Sequence, residues 1–143
     1  MEVKMMVSAF WSDLAADLED PEFLRDYVRE SVRIATVDSI INALDDARIS
    51  EGMSKAELAR AIGAEPAVVR RLFAAGNSTP NPTLGTLVDL AAAVGLRIRV
   101  EPLPDEERQA VTEPLRTGRV AEASIKRLAQ LRQTPGRGAV RPA

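Results

Sequence analysis

The sequence predicts an all-α protein, because apolar residues recur every three or four positions along most of its 143 residues. Aromatic residues make up only 3% of the chain, so the predicted core consists of Leu, Ile, Val and Ala. One stretch, residues 96–100, instead alternates apolar and basic side chains, as a short β-strand does. A lone strand needs a partner, and the same strand of a second subunit is the simplest one. We therefore expect a core of about five helices and one short C-terminal strand that pairs across a dimer.

The amino-acid composition argues against an enzyme. The chain has no cysteine, which excludes disulfides and cysteine-based zinc sites, and no histidine, the commonest general base and metal ligand. We accordingly expect no catalytic residues, no metal and no other cofactor. No stretch approaches the roughly 20 apolar residues that span a bilayer, and the N-terminus does not resemble a signal peptide. The expected location is the cytoplasm, with no membrane partner.

Charge is distributed unevenly along the chain. The net charge of −2 argues mildly against a nucleic-acid partner, but the local charge decides where a phosphate backbone binds. Acidic residues crowd the first half, whereas residues 126–143 contain five basic residues and no acid. Neighbouring residues on a helix point about 100° apart, so Asp45 and Asp46 make a poor carboxylate pair and are expected on a solvated face.

Helical patterns flank a central region on both sides. Residues 8–19 predict a short amphipathic helix, and Asp20-Pro21 predicts the start of another, which continues to residue 49 as one helix or as two with a break near residues 30–33. After residue 104, one or two helical turns are expected before Pro114 interrupts them, followed by a helix over 120–131. The predicted domains are an N-terminal extension (1–33), a central domain (34–102) and a C-terminal extension (103–143) whose basic end is disordered.

The central region contains the most informative pattern. Ser54 followed by Glu57 is a capping box that predicts a helix start, and Gly63 predicts its end. Pro66 is well placed as the first residue of a second short helix. In that helix Val68, Val69 and Leu72 share one predicted face, and the other face carries Ala67, Arg70, Arg71 and Ala74.

Two short helices joined by a tight turn have the properties of a helix-turn-helix. Its first helix crosses the phosphate backbone and its second enters the major groove of double-stranded DNA. Arginine on the second helix can read guanine through a bidentate contact. The predicted core that locks the two helices is Leu58, Ala59, Ile62, Val69 and Leu72. The candidate DNA-binding residues are Lys55, Glu65, Pro66, Ala67, Arg70, Arg71, Asn77 and Ser78, and the candidate dimer strand is Leu96, Arg97, Ile98, Arg99 and Val100.

Residues 53–63 and 68–72 resemble the lambda-repressor-like helix-turn-helix family, also called the XRE family. Residues 81–87 and 91–95 look like that family's loop and fourth helix, so the resemblance covers residues 34–100. The lead-in at residues 20–23 and the segment 96–100 are similar to HigA-type antitoxins. This resemblance implies a homodimer that represses its own operon from an inverted-repeat operator, and that neutralises an mRNA-cleaving toxin of the RelE/HigB class.

Three departures from the family pattern leave the operator sequence unpredicted. Glu65 stands where the family usually has Ser or Thr, Pro66 replaces a frequent glutamine, and the loop over residues 76–82 is longer than in the shortest members. Two rival functions stay open: a stand-alone XRE-family regulator without a toxin, and a protein-interaction module on the same scaffold. Under the second, Arg70 and Arg71 are merely solvated charges on an exposed helix.

Overall fold

The computed structural model describes residues 2–74 and 81–132, with side chains described from residue 9 onward. These residues are mostly helical and contain no strand, which confirms the all-α prediction at that level. They divide into two compact units. We call residues 2–35 together with 102–132 the terminal unit, and residues 36–74 together with 81–101 the central unit.

Helices from both ends of the sequence build the terminal unit. Helix α1 (Glu2–Asp17) precedes α2 (Pro21–Ser50), whose start is stabilised by a hydrogen bond from the Glu22 backbone N–H to Asp20 Oδ1 at 3.0 Å. Of the two arrangements that the pattern allowed, the structure has the single long helix, since α2 continues without a break through residues 30–33. Only the first part of α2, up to residue 35, belongs to this unit.

Pro114 does not interrupt the helical segment after residue 104, contrary to the prediction. Helix α6 (Asp105–Glu107) passes into a π-helical turn (Arg108–Thr112) and then into α7 (Glu113–Thr117). In the π-helical turn the Glu113 N–H donates to the Arg108 carbonyl, five residues earlier instead of four. The regular α-helical hydrogen bonds are therefore already interrupted where Pro114 has no N–H to donate. Gly118, with φ +75°, ends α7, and α8 (Glu122–Gln130) lies within the helix predicted over 120–131.

One apolar core joins these elements. Helix α1 packs against α8, and Trp11 lies partly buried against the core with Lys126 Nζ 5.9 Å from the centre of its ring. Phe10, its neighbour, is 54% exposed, so only one of these two aromatic residues packs onto the core. The buried core residues are Leu14, Leu18, Leu24, Val28, Ala110, Val111, Ile125 and Leu128.

The central unit contains the remainder of α2 and three further helices: α3 (Lys55–Ala61), α4 (Pro66–Leu72) and α5 (Leu84–Ala93). Helix α3 contacts both α4 and α5. The helices enclose a second core, which contains the five residues predicted to lock α3 and α4, with Ile62 only partly buried. Its buried residues are Ile41, Leu44, Leu58, Ala59, Val69, Leu72, Phe73, Leu87, Leu90, Ala91 and Val94.

The segment predicted as a strand is not one in the single chain. Residues 96–100 follow α5 in neither helix nor strand, and all of them are exposed. A strand is defined by its pairing with another, and no described segment of the same chain pairs with this one. Pairing across a dimer therefore stays a prediction.

Candidate functional site

The site begins with the capping box at the start of α3. Ser54 Oγ accepts a hydrogen bond from the Glu57 N–H at 3.0 Å, and Glu57 Oε1 accepts one from the Ser54 N–H at 3.2 Å. Hydrogen bonding to the Glu57 carboxylate, first from the Ser54 backbone N–H and then from the Ser54 side chain, lowers the pKa of Glu57. The predicted capping box is thus confirmed, and it places Lys55, which is half-buried, as the first residue of α3.

A tight turn leads from α3 to α4. Gly63 has φ +69°, a left-handed conformation that costs glycine little. The Ala64 N–H donates back to the Ala59 carbonyl at 2.9 Å and so closes the end of α3. Glu65 then precedes α4 in an extended conformation without a side-chain capping bond, and Pro66 is the first helical residue, as predicted.

The two faces of α4 differ sharply in burial. Val69 and Leu72 are buried in the central core, as predicted, while Ala67, Arg70 and Arg71 are exposed. Within the described residues neither arginine forms an ion pair or a side-chain hydrogen bond. The predicted outward face is therefore present, and among the described residues its two guanidinium groups have no partner.

Val68 does not lie on the buried face, contrary to the prediction. It is 39% exposed, and Phe73, which directly follows α4, is buried in its place at 6%. Residues 69, 72 and 73 have the i, i+3, i+4 spacing that lines one side of a helix, whereas residue 68 is turned about 100° from residue 69. The predicted buried face of α4 ended at Leu72 and therefore did not include Phe73.

A buried ion pair between Asp45 and Arg48 contacts the backbone just before Ser54, and the sequence did not predict it. Arg48 Nε donates to Asp45 Oδ1 at 2.8 Å, and its Nη1 donates to the Met53 carbonyl at 2.7 Å. The expectation that Asp45 faces solvent is wrong, because Asp45 is only 2% exposed. The i, i+3 spacing of Asp45 and Arg48 was the available signal, but such pairs are usually solvated surface pairs.

The stretch between α4 and α5 contains two further predicted contacts, Asn77 and Ser78, and both lie outside the described residues. After this stretch, Thr83 caps α5 by accepting a hydrogen bond from the Thr86 N–H at 3.1 Å. Leu84, which follows the cap, is 68% exposed. It is the first residue of the helix and points away from the core that Leu87 and Leu90 fill.

Some basic residues near the end of the chain form contacts within the terminal unit. Arg127 pairs with Glu107 at 3.0 Å, and Arg132 donates to Ser31 Oγ at 2.8 Å and stacks on the Tyr27 ring at 4.1 Å. Arg137 and Arg141 lie outside the described residues. Three of the basic residues in the segment 126–143 therefore have contacts within their own unit, since Lys126 also lies near the Trp11 ring.

A search of the described residues finds no group of three carboxylates that could hold a metal ion. None of the helices in that part of the chain combines the length and the apolar character needed to cross a membrane. Comparison of the chain with protein-family models, curated proteins and solved structures found no match in any of the three.

Proposed function

We propose that the central unit binds double-stranded DNA in a sequence-specific manner and that its helices α3 and α4 act as a helix-turn-helix. The observation that carries the proposal is the exposed face of α4. This face presents Ala67, Arg70 and Arg71 to solvent, whereas the opposite face is anchored in the core by Val69 and Leu72. A short helix that is anchored in the core and whose exposed arginines have no partner among the described residues suits insertion into the major groove.

Each predicted contact has a distinct role in this proposal. Arg70 and Arg71 read guanine O6 and N7, each bidentate contact contributing about 1–3 kcal/mol of discrimination. Lys55, at the start of α3, binds a backbone phosphate, as do Asn77 and Ser78 in the loop before α5. Glu65 is compatible with DNA where it accepts a hydrogen bond from a cytosine amino group.

The biological role that we propose is transcriptional repression by a homodimer. Two copies place their α4 helices in successive major grooves, about 34–36 Å apart on an inverted repeat, and block transcription from that site.

We further propose that the protein is the antitoxin of a toxin–antitoxin pair, on the similarity of residues 20–23 and 96–100 to HigA-type antitoxins. Its partner would then be a RelE/HigB-like toxin, and co-expression with such a toxin should relieve growth arrest. Growth arrest that persists, with no co-purified complex, would leave a stand-alone regulator.

The experiment that tests DNA binding is a selection from a random duplex library, followed by salt-titrated binding to the selected site. The Arg70→Ala/Arg71→Ala variant should lose the preference for that site over random DNA, and wild-type affinity should fall steeply with salt. The matched control is Arg108→Ala/Arg116→Ala, which removes the same charge from exposed arginines of the terminal unit. Failure of the wild type to enrich any sequence would instead favour a protein-interaction module.

A further inference from the structure

The segment after α5 presents an edge of unpaired backbone. The Leu96 N–H donates to the Ala91 carbonyl at 2.7 Å, but beyond it, within the described chain, the backbone of residues 97–101 forms no hydrogen bond. Apolar and charged side chains alternate along this edge. Leu96 is 42%, Ile98 36% and Val100 99% exposed, while Arg97, Arg99 and Glu101 project between them. Free backbone groups with this alternation are a template for pairing with another strand.

We infer that the same segment of a second copy pairs with it antiparallel, in the register that places Arg97 opposite Glu101 of the partner subunit. This inference rests on the proposed homodimer and specifies its interface. In a symmetric antiparallel pair the two-fold axis passes between one residue and its own copy. The register is therefore defined by that residue, and here it is Arg99.

Charge favours this register over the one with the axis at Ile98, although an axis at Val100 would also oppose unlike charges, Arg99 and Glu101 of the partner subunit. If the axis passed through Ile98, Arg97 would face the partner's Arg99, and this repulsive pair would occur twice. With the axis at Arg99, two Arg97–Glu101 pairs form and a single like-charged pair is left on the axis. Directly opposed charges in a sheet stabilise it when opposite and destabilise it when alike.

The apolar contacts and the prolines argue against moving the axis to Val100. With the axis at Arg99, Ile98 lies opposite Val100 of the partner subunit, twice, so the fully exposed valine becomes covered. With the axis at Val100, Ile98 would face the partner's Pro102 and Leu96 would face the partner's Pro104. Proline has no N–H to donate and is confined to strand ends and edges. In the inferred register Pro102 occurs only at the ends of the ladder.

Single cysteines in the full chain test the register directly, because the protein has no cysteine of its own. Residues on the axis approach their copies to about 5.5 Å between Cα atoms, within disulfide range. Under mild oxidation Arg99→Cys should therefore form a covalent dimer much faster than Ile98→Cys or Val100→Cys. Faster crosslinking of either of these would overturn the register, and slow crosslinking of all three would overturn pairing through this segment.

Charge reversal provides an independent measurement of the same interface. Arg97→Glu should weaken dimerisation roughly tenfold in analytical ultracentrifugation, and Arg97→Glu/Glu101→Arg should restore it. With the axis at Ile98, the first change would strengthen the dimer, because the new carboxylate would face the partner's Arg99. Arg116→Glu, an exposed arginine of the terminal unit, is the control for net charge. None of these readouts needs DNA, so a dimer in this register that prefers no DNA sequence would refute the proposed function alone.

Discussion

Arg48 holds Asp45 in the core of the central unit, with Nε and Nη2 both 2.8 Å from Oδ1 of the carboxylate. The same guanidinium group donates to the Met53 carbonyl at 2.7 Å, immediately before Ser54 caps α3. The end of α2 is thereby linked to the start of α3 by charge-assisted hydrogen bonds. The position of Lys55, the predicted phosphate contact, depends on this link.

Removing the buried carboxylate should destabilise the protein substantially. Asp45→Ala leaves the Arg48 guanidinium, only 13% exposed, without its counter-charge, and the free energy of unfolding should fall by about 3 kcal/mol. Chemical denaturation measures this. Asp46→Ala, which removes the adjacent and more exposed acid, should change stability by no more than about 0.5 kcal/mol. Equal effects of the two substitutions would refute the role of the ion pair.

The capping box makes the stability of α3 dependent on pH. The pKa of Glu57 is lowered in the folded protein, first by the hydrogen bond from the Ser54 backbone N–H. Its stabilising contribution is therefore fully present above the ordinary glutamate value of 4.5 and is lost as the pH falls through the lowered pKa. Carboxyl-resolved NMR titration should show Glu57 below its ordinary pKa in the wild type and closer to it in Ser54→Ala. Because alanine keeps the backbone N–H, part of the lowering should persist in that variant, and a wild-type pKa at or above the ordinary value would contradict this account.

Two glycines of the central unit should respond to alanine with opposite signs. Gly63 adopts φ +69° with no atom within 4 Å of an added Cβ, so Gly63→Ala should cost about 1 kcal/mol through backbone strain alone. Gly85 lies inside α5, where an added Cβ meets only Thr83 Oγ1 at 3.9 Å. Gly85→Ala should stabilise the protein by about 0.5–1 kcal/mol. Urea denaturation of both variants checks the signs, and a neutral Gly63→Ala would argue against the left-handed turn.

Phe73 should contribute far more to stability than its exposed neighbour Val68. Phe73→Ala removes a ring that is 6% exposed and leaves a cavity against the central core, so unfolding should become easier by about 3–5 kcal/mol. Val68→Ala, at a side chain 39% exposed, should cost less than about 1 kcal/mol. If thermal denaturation ranks the two substitutions in the reverse order, the assigned buried face of α4 is wrong.

The shared core of the two chain ends predicts a non-local effect. Leu128 in α8 is fully buried in the same cluster as Leu14 and Leu24. Leu128→Ala should therefore lower amide hydrogen-exchange protection in α1 and the start of α2, more than one hundred residues away, as much as in α8. Protection in α3 and α5 should fall less. A loss confined to α8 would show that the terminal unit is not one cooperative core.

Local sequence patterns predicted the helices of the central unit well. The capping box at Ser54, the left-handed Gly63 and the leading Pro66 each act within one helical turn, so their conformations depend on neighbouring residues that the sequence displays directly. The exposed face of Ala67, Arg70 and Arg71 followed from the same periodicity. These features constitute most of the candidate site.

Only the tertiary structure decided which side chains are buried in the two cores. Asp45 is buried together with its ion-pair partner Arg48, whose guanidinium also donates to the Met53 carbonyl, and Phe73 replaces Val68 because the core lies beside residues 69 and 72. Likewise, the two termini share one core although they are separated along the chain by the entire central unit. The sequence by itself determined the helix starts, the turn and the charged outward face, because these depend on local backbone chemistry. Burial depends on contacts between residues far apart in the chain, and those exist only in the folded molecule.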